Sequence, residues 1–342
     1  MNKRIISILL GAAALGALSS KLKGSKSRNF RPNNPNYLYV EDDRGEWNGF
    51  NARNMQGKKV EDIEYVTAAS SPGKYEVYEK ILNDVKHTFP NLKGIKLGTF
   101  IPEPWKYAAL FPDIEEFSVN FTDEFILHWD ETGVYIPDEI IKHPNITRLS
   151  LNDCELLEFP EELSKMTNLK YLSISGNKEL FASNDLVNKN FRRLSKLVNL
   201  ESLKLVSTGL QIIPEEITGL PNLKQLVLNH NEIEYIPRSI VKMDNLRDLR
   251  VSYNPITSFP DYLCDLINLR RLDINNTQIK ELPNHFGNLN KLVYFNPDIS
   301  VVCPSSMQVA IWVSQGMSQD IIRNIIRYCK KPSKRSSELR RF

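Results

Sequence analysis

Cysteine is scarce in this chain of 342 residues. The four present, Cys154, Cys264, Cys303 and Cys329, lie far apart and form no CxxC pair. That spacing indicates neither a dense disulfide framework nor a zinc site. Widely spaced cysteines are expected as reduced thiols. Histidine is sparse too, and His87, His128, His143, His230 and His285 stand at no ligand spacing. There is no Walker loop, GxSxG, HExxH or kinase signature. No catalytic residue, metal site, cofactor or small-molecule substrate is therefore expected. An excess of one charge is also missing: 44 Lys and Arg face 41 Asp and Glu, a net +3. A dedicated nucleic-acid binder carries a larger basic surplus. The longest apolar run, Ile5 to Leu18, falls short of the about 20 residues a helix needs to span a bilayer.

What charge there is divides unevenly. Residues 1–30 hold six basic residues and no acid, and residues 330–342 hold six basic residues and Glu338. Taking those ends away leaves residues 31–329 at −8. The N-terminus, Lys3 and Arg4 before an apolar run, has signal-peptide grammar, and Ala17 and Ser19 supply the small residues of a cleavage site. Ala12 and Gly16 also put small residues on one helical face, which suits packing in lipid. Lys21, Lys23, Lys26 and Arg28 then favour retention of the following chain on the cytoplasmic side. Three readings stay open for residues 1–20: a short membrane anchor, a cleaved signal, or a buried or disordered apolar end. Membrane association through residues 5–18 is the leading localisation, with secreted and cytoplasmic as alternatives. Residues 21–45 read as a basic flexible linker and 332–342 as a basic disordered tail. Phospholipid or nucleic-acid binding through these ends is a rival function, weakened by their lack of interleaved aromatics.

The main signal is a repeat. Leu200-x-x-Leu203-x-Leu205 recurs every 23 residues, at Leu223, Leu246 and Leu269, and again as Leu292-x-x-Phe295. Upstream, Ile146-x-x-Leu149-x-Leu151 precedes Leu169-x-x-Leu172-x-Ile174 by the same step; Leu200 follows Leu169 after 31 residues. The eight extra residues, between Leu180 and Phe191, are expected to form a protruding loop. In each unit the last two strand apolars point to one face. Next comes Asn177, Asn231 or Asn254, or Cys154, Thr208 or Thr277, where a polar side chain can satisfy backbone groups buried at the turn. An apolar-Pro pair such as Ile213-Pro214 or Leu282-Pro283 follows and opens a short helical segment.

This pattern resembles the leucine-rich repeat family, in the 23-residue form with L-P-x-x-I-x-x-L-x-x-L seen in intracellular signalling scaffolds. Ile213-Pro214-x-x-Ile217-x-x-Leu220-x-x-Leu223 and Leu282-Pro283-x-x-Phe286-x-x-Leu289-x-x-Leu292 carry it. The resemblance covers 136–297. It implies an α/β solenoid, with a parallel sheet on a concave face and short helices or turns on a convex one, and a non-enzymatic role in binding proteins. Extracellular members usually have cysteine-rich caps, whose absence here counts against an exported adhesin, effector or virion component. Around this domain, 46–91 is expected to be an N-terminal cap, with a helix over 74–88. Residues 92–135 are expected to hold degenerate repeats with a loop near 123–134, and 298–331 a helical C-terminal cap.

The repeat register nominates the binding face. Outward strand positions include Tyr171, Lys204, Arg250 and Arg271, flanked by a column holding Lys224, Arg247 and Arg270, with His230 and Tyr253 at the edge. Four arginines on two adjacent strands suit carboxylate pairing. A protein partner with an acidic surface is therefore expected, although Asp248 and Asp273 could neutralise the cluster. Three sequons, Asn120, Asn145 and Asn275, occur in an Asn-rich sequence and carry little weight.

Overall fold

The computed structural model describes residues 37–42, 59–70, 75–97, 104–120, 138–298 and 301–329. The apolar segment 5–18, most of the expected linker, the loop near 123–134 and the tail 332–342 lie outside the described residues.

Among the described residues, one parallel sheet of eleven strands runs in sequence order. Its strands are β1 (Tyr37–Asp42), β2 (Tyr65–Ser70), β3 (Gly94–Leu97), β4 (Glu116–Asn120), β5 (Arg148–Asn152) and β6 (Tyr171–Ser173). They continue with β7 (Ser202–Lys204), β8 (Gln225–Val227), β9 (Asp248–Arg250), β10 (Arg271–Asp273) and β11 (Tyr294–Asn296). Partners across β7 to β11 are 23 residues apart, as in Gln225 beside Asp248 and Arg271 beside Tyr294. The central residue of each short strand points inward: Leu203, Leu226, Leu249 and Leu272 are fully buried, and together with their repeat-mates they form one continuous core. Each unit alone would leave that face in water, so stacking supplies the stability.

The polar slot after the strand works as expected. Asn231 is buried; its Oδ1 accepts from the amides of Thr208 (2.9 Å) and Leu210 (3.2 Å), and its Nδ2 donates to the carbonyls of Leu205 (2.6 Å) and Leu228 (3.0 Å). Asn177 and Asn254 repeat this pattern. Thr208 and Thr277 fill the slot by donating to a carbonyl three residues back. On the opposite side, each apolar-Pro pair leads into a 3-10 turn, for example Glu215–Gly219 after Pro214 and Arg238–Lys242 after Pro237. The proline carbonyl accepts the first bond of the turn, so its missing N–H costs nothing.

Four expectations change. First, the sheet begins at residue 37, so a strand stands where a linker to residue 45 was expected. Second, β2 lies inside the expected cap, and helix α1 (Tyr75–Thr88) connects β2 to β3. Its Ile81, Leu82 and Val85 are buried, so the helix covers a stretch of the sheet, with β1 and β2 still before it. The repeat signature is degenerate over 92–135 and β1 and β2 lie upstream even of that, which hid these strands. Third, after the one-turn helix α2 (Asp138–Ile141), the eight extra residues build helix α3 (Asn184–Leu194). Val187, Phe191 and Leu194, at helical spacing, are buried, and Ser183 Oγ accepts from the Leu186 amide as the N-cap. An apolar stripe of that period packs down onto its neighbours and does not protrude.

Fourth, Cys303 and Cys329 form a disulfide, with Cα atoms 5.2 Å apart. The spacing of 26 residues gave no hint, because folding brings the loop after β11 against the end of a helix. The C-terminal cap comprises α4 (Ser306–Ser314) and α5 (Gln319–Cys329). Trp312 of α4 is fully buried, and its indole Nε1 donates to the Pro283 carbonyl (3.0 Å). Ile321, Ile322 and Ile325 of α5 are buried, and Asn324 donates to the Phe295 carbonyl of β11 (2.7 Å). Cys154 and Cys264 are buried thiols outside that disulfide.

Candidate interaction face

The outward face of the sheet carries the nominated residues. Along the first strand position run Tyr171, Ser202, Gln225, Asp248, Arg271 and Tyr294; two residues on run Lys204, Val227, Arg250 and Asp273. Neighbouring strands lie about 4.8 Å apart, so successive side chains touch. The hydroxyl of Ser202 donates to Gln225 Oε1 (2.7 Å), and Gln225 Nε2 donates to Asp248 Oδ2 (2.7 Å).

Asp248 divides the expected arginine cluster. Arg250 Nε donates to Asp248 Oδ1 (2.9 Å) and its Nη2 to Oδ2 (2.6 Å). That two-point hydrogen bond holds the Arg250 guanidinium above its usual pKa despite partial burial. Arg271 Nε lies 3.9 Å from Asp248 Oδ1, and its guanidinium sits 3.9 Å from the centre of the Tyr294 ring. Arg250 and Arg271 are thus already engaged. In the flanking column, Lys224 is paired with Glu201 (2.7 Å), and the hydrogen bond from Lys224 lowers the Glu201 carboxyl. Arg247 and Arg270 are exposed, and no carboxylate engages either among the described residues. They stand on successive coils, the Arg270 amide donating to the Arg247 carbonyl (2.8 Å).

The remaining nominated residues form two further groups. Tyr171 lies under two cations, Arg148 at 4.4 Å and Lys204 at 5.0 Å from its ring centre. His230 and Tyr253 occupy equivalent left-handed turns, each with φ +57°, and their rings stack at 4.1 Å. Strand alternation could not foresee that stack, because both residues sit just past the strand, where the chain turns.

Two features escaped the sequence reading. One is a second asparagine ladder on the turns that lead into the strands: Asn199, Asn222, Asn245 and Asn268 each donate to a carbonyl of the preceding coil at 2.9–3.0 Å. Asn145, one of the three sequons, belongs to this ladder and donates to the Pro112 carbonyl (3.0 Å). The recurrence of Asn one residue before the Leu of each repeat was the available signal. The other is apolar exposure at the C-terminal end, where Val293 is 79% exposed. Among the described residues there is no metal-binding cluster and no helix long and apolar enough to cross a membrane.

Residues 198–256 match the family model described as leucine rich repeat, and residues 268–289 match a second model of the same description. These are leucine-rich repeats. The solved structures of similar repeats include an internalin (inlF) from Listeria monocytogenes, 19% identical, covering 82% of this chain and 71% of that one with a TM-score of 0.50. A leucine-rich repeat protein from Leptospira interrogans is 22% identical over 68% of this chain and 66% of that one, with a TM-score of 0.40. The internalin likeness supports the α/β leucine-rich repeat solenoid as a fold. No curated protein matches the sequence.

Proposed function

We propose that this leucine-rich repeat chain is a non-enzymatic interaction protein whose outward sheet face binds an acidic protein partner. Solenoids of stacked repeats generally bind through such an extended surface. The observation that carries the reading is the pair Arg247 and Arg270, exposed on adjacent coils with no carboxylate partner among the described residues. Guanidinium groups so placed favour two-point pairing with carboxylates. A photo-crosslinking residue at position 247 tests it. A partner captured through a Glu- or Asp-rich stretch supports the reading, and capture through a basic or neutral surface sinks it.

The disulfide adds a reading of location. Disulfides persist in oxidising compartments. Together with the N-terminal signal or anchor grammar, the Cys303–Cys329 bond favours repeats that face an exported or extracytoplasmic space, tethered or released by residues 5–18. Alkylation of thiols in intact cells, followed by mass analysis, tests it. An unmodified Cys303 and Cys329 pair supports export, and alkylation of both counts against it.

A further inference from the structure

We infer that the partner is read at the C-terminal end of the sheet face, where a groove between β11 and α5 takes an aliphatic or aromatic side chain flanked by carboxylates. This rests on the proposed acidic-partner reading and narrows it to one place. The groove holds about 340 Å³. Val293, Tyr294 and Ile321 contribute apolar lining, and Arg323 and Arg327 of α5 also line it.

Three observations converge there. Val293 continues the flanking column that contains Arg247 and Arg270, its amide bonded to the Arg270 carbonyl (2.8 Å). Two exposed arginines therefore lead directly to the exposed apolar residue. Tyr294, 39% exposed, is fixed from behind by the Arg271 guanidinium, so its ring meets a ligand already ordered. Preorganised aromatic residues beside arginine are the typical composition of a binding hot spot. The third observation is charge. Asp320 is the groove's own carboxylate, and it pairs with Arg323 (3.1 Å), leaving Arg327 exposed with no ion pair among the described residues.

That charge also argues against self-occupancy. The chain's terminal segments carry six basic residues each and a single acid between them, so neither complements the arginines. A foreign segment with acids around an apolar residue does. Desolvating Val293 and Tyr294 under that residue would supply affinity, and the arginines would supply orientation.

The test uses the full chain and a fluorescein-labelled peptide, Asp-Glu-Leu-Phe-Glu-Asp, read by anisotropy. Binding should be saturable, and Val293→Asp and Arg327→Glu should each weaken it about tenfold, as expected for hot-spot residues. Lys242→Glu, exposed in the 3-10 turn on the opposite side of the solenoid, should change it little. Val293 is a surface residue, and an unchanged circular dichroism spectrum verifies that its variant is folded. If the peptide responds to Arg247→Glu with Arg270→Glu but not to Val293→Asp or Arg327→Glu, the groove is wrong while the broader acidic-partner reading stands. If no binding occurs at millimolar peptide, the groove proposal falls, and partner capture at position 247 judges the broader reading separately. If the wild-type chain dimerises in sedimentation and Val293→Asp makes it monomeric, the groove is an interface between copies and the proposal is overturned.

Discussion

Arg250 donates both its Nε and Nη2 hydrogens to the carboxylate of Asp248, two residues earlier on the same strand. The pair is only partly exposed, and Gln225 donates to the same carboxylate. Removing Asp248 therefore strands two donors at once. We expect Asp248→Ala to lower stability by about 1–3 kcal/mol in urea denaturation, the usual cost of losing charge-assisted bonds at a half-buried site. It should also strengthen binding of an acidic partner, since Arg250 becomes available. Unchanged stability would show the pair to be a decorative surface contact.

The two asparagine ladders should differ in their cost. Asn231 satisfies two buried amides and two buried carbonyls. Replacement by Leu leaves these groups inside the core, and we expect a loss of about 3 kcal/mol or more. Asn222 lies on the exposed edge and donates one bond to the Val198 carbonyl. Water can replace it, so Asn222→Ala should cost about 0.5–1.5 kcal/mol. Equal costs for the two variants would contradict the assignment of the inner ladder as the coil-to-coil brace.

The inner ladder was legible in the sequence because its period and its chemistry coincide: a polar residue recurs where the chain must turn with its backbone buried. The sheet from β5 to β11 followed from the same register. What was not legible depends on contacts that no period encodes. Cys303 and Cys329 meet only because α5 folds back over the end of the sheet. Asp248 could be seen as a neighbour of the arginines, but its choice of Arg250 over Arg270 is a matter of side-chain direction. β1 and β2 lie upstream of the regular 23-residue period, and α3 forms inside an insertion that breaks it, so the register carries no signal for either.

Thiol accessibility separates the four cysteines. Cys264 is fully buried, and burial followed by nearby Asp261 and Asp265 pushes its thiol up to about 12. The thiolate is the reactive form, so Cys264 should be inert in the native protein. Titration with a chromogenic disulfide reagent should find no reactive thiol in the native oxidised chain. After mild reduction it should find two, Cys303 and Cys329, and after unfolding four. We expect Cys303→Ser to cost about 2–4 kcal/mol, in the range of disulfides that close loops of this size. The loss should appear as faster hydrogen exchange in α5, while β7 to β9 are unaffected.

Acid should weaken the attachment of α3. Burial pushes the Glu158 carboxyl up, but hydrogen bonds from Lys189 and Arg193 outweigh it and hold the group below its usual range. A carboxyl with a depressed folded pKa contributes stability above its unfolded pKa and loses it as pH falls through the folded one. The stability difference between wild type and Glu158→Gln should thus be largest near neutrality and shrink towards zero below about pH 4, the ordinary carboxylate range. A difference independent of pH would mean that the ion pairs contribute nothing.

The most direct measurement is the affinity of the captured partner for the full chain, by calorimetry, with and without the double substitution Arg247→Glu and Arg270→Glu. Neither side chain supports an internal ion pair among the described residues, so the melting temperature should not move. We expect at least about a tenfold loss of affinity, since like charges would face each other across the interface. Unchanged affinity at low salt, with the fold intact, would contradict the proposal that this face binds through its free arginines.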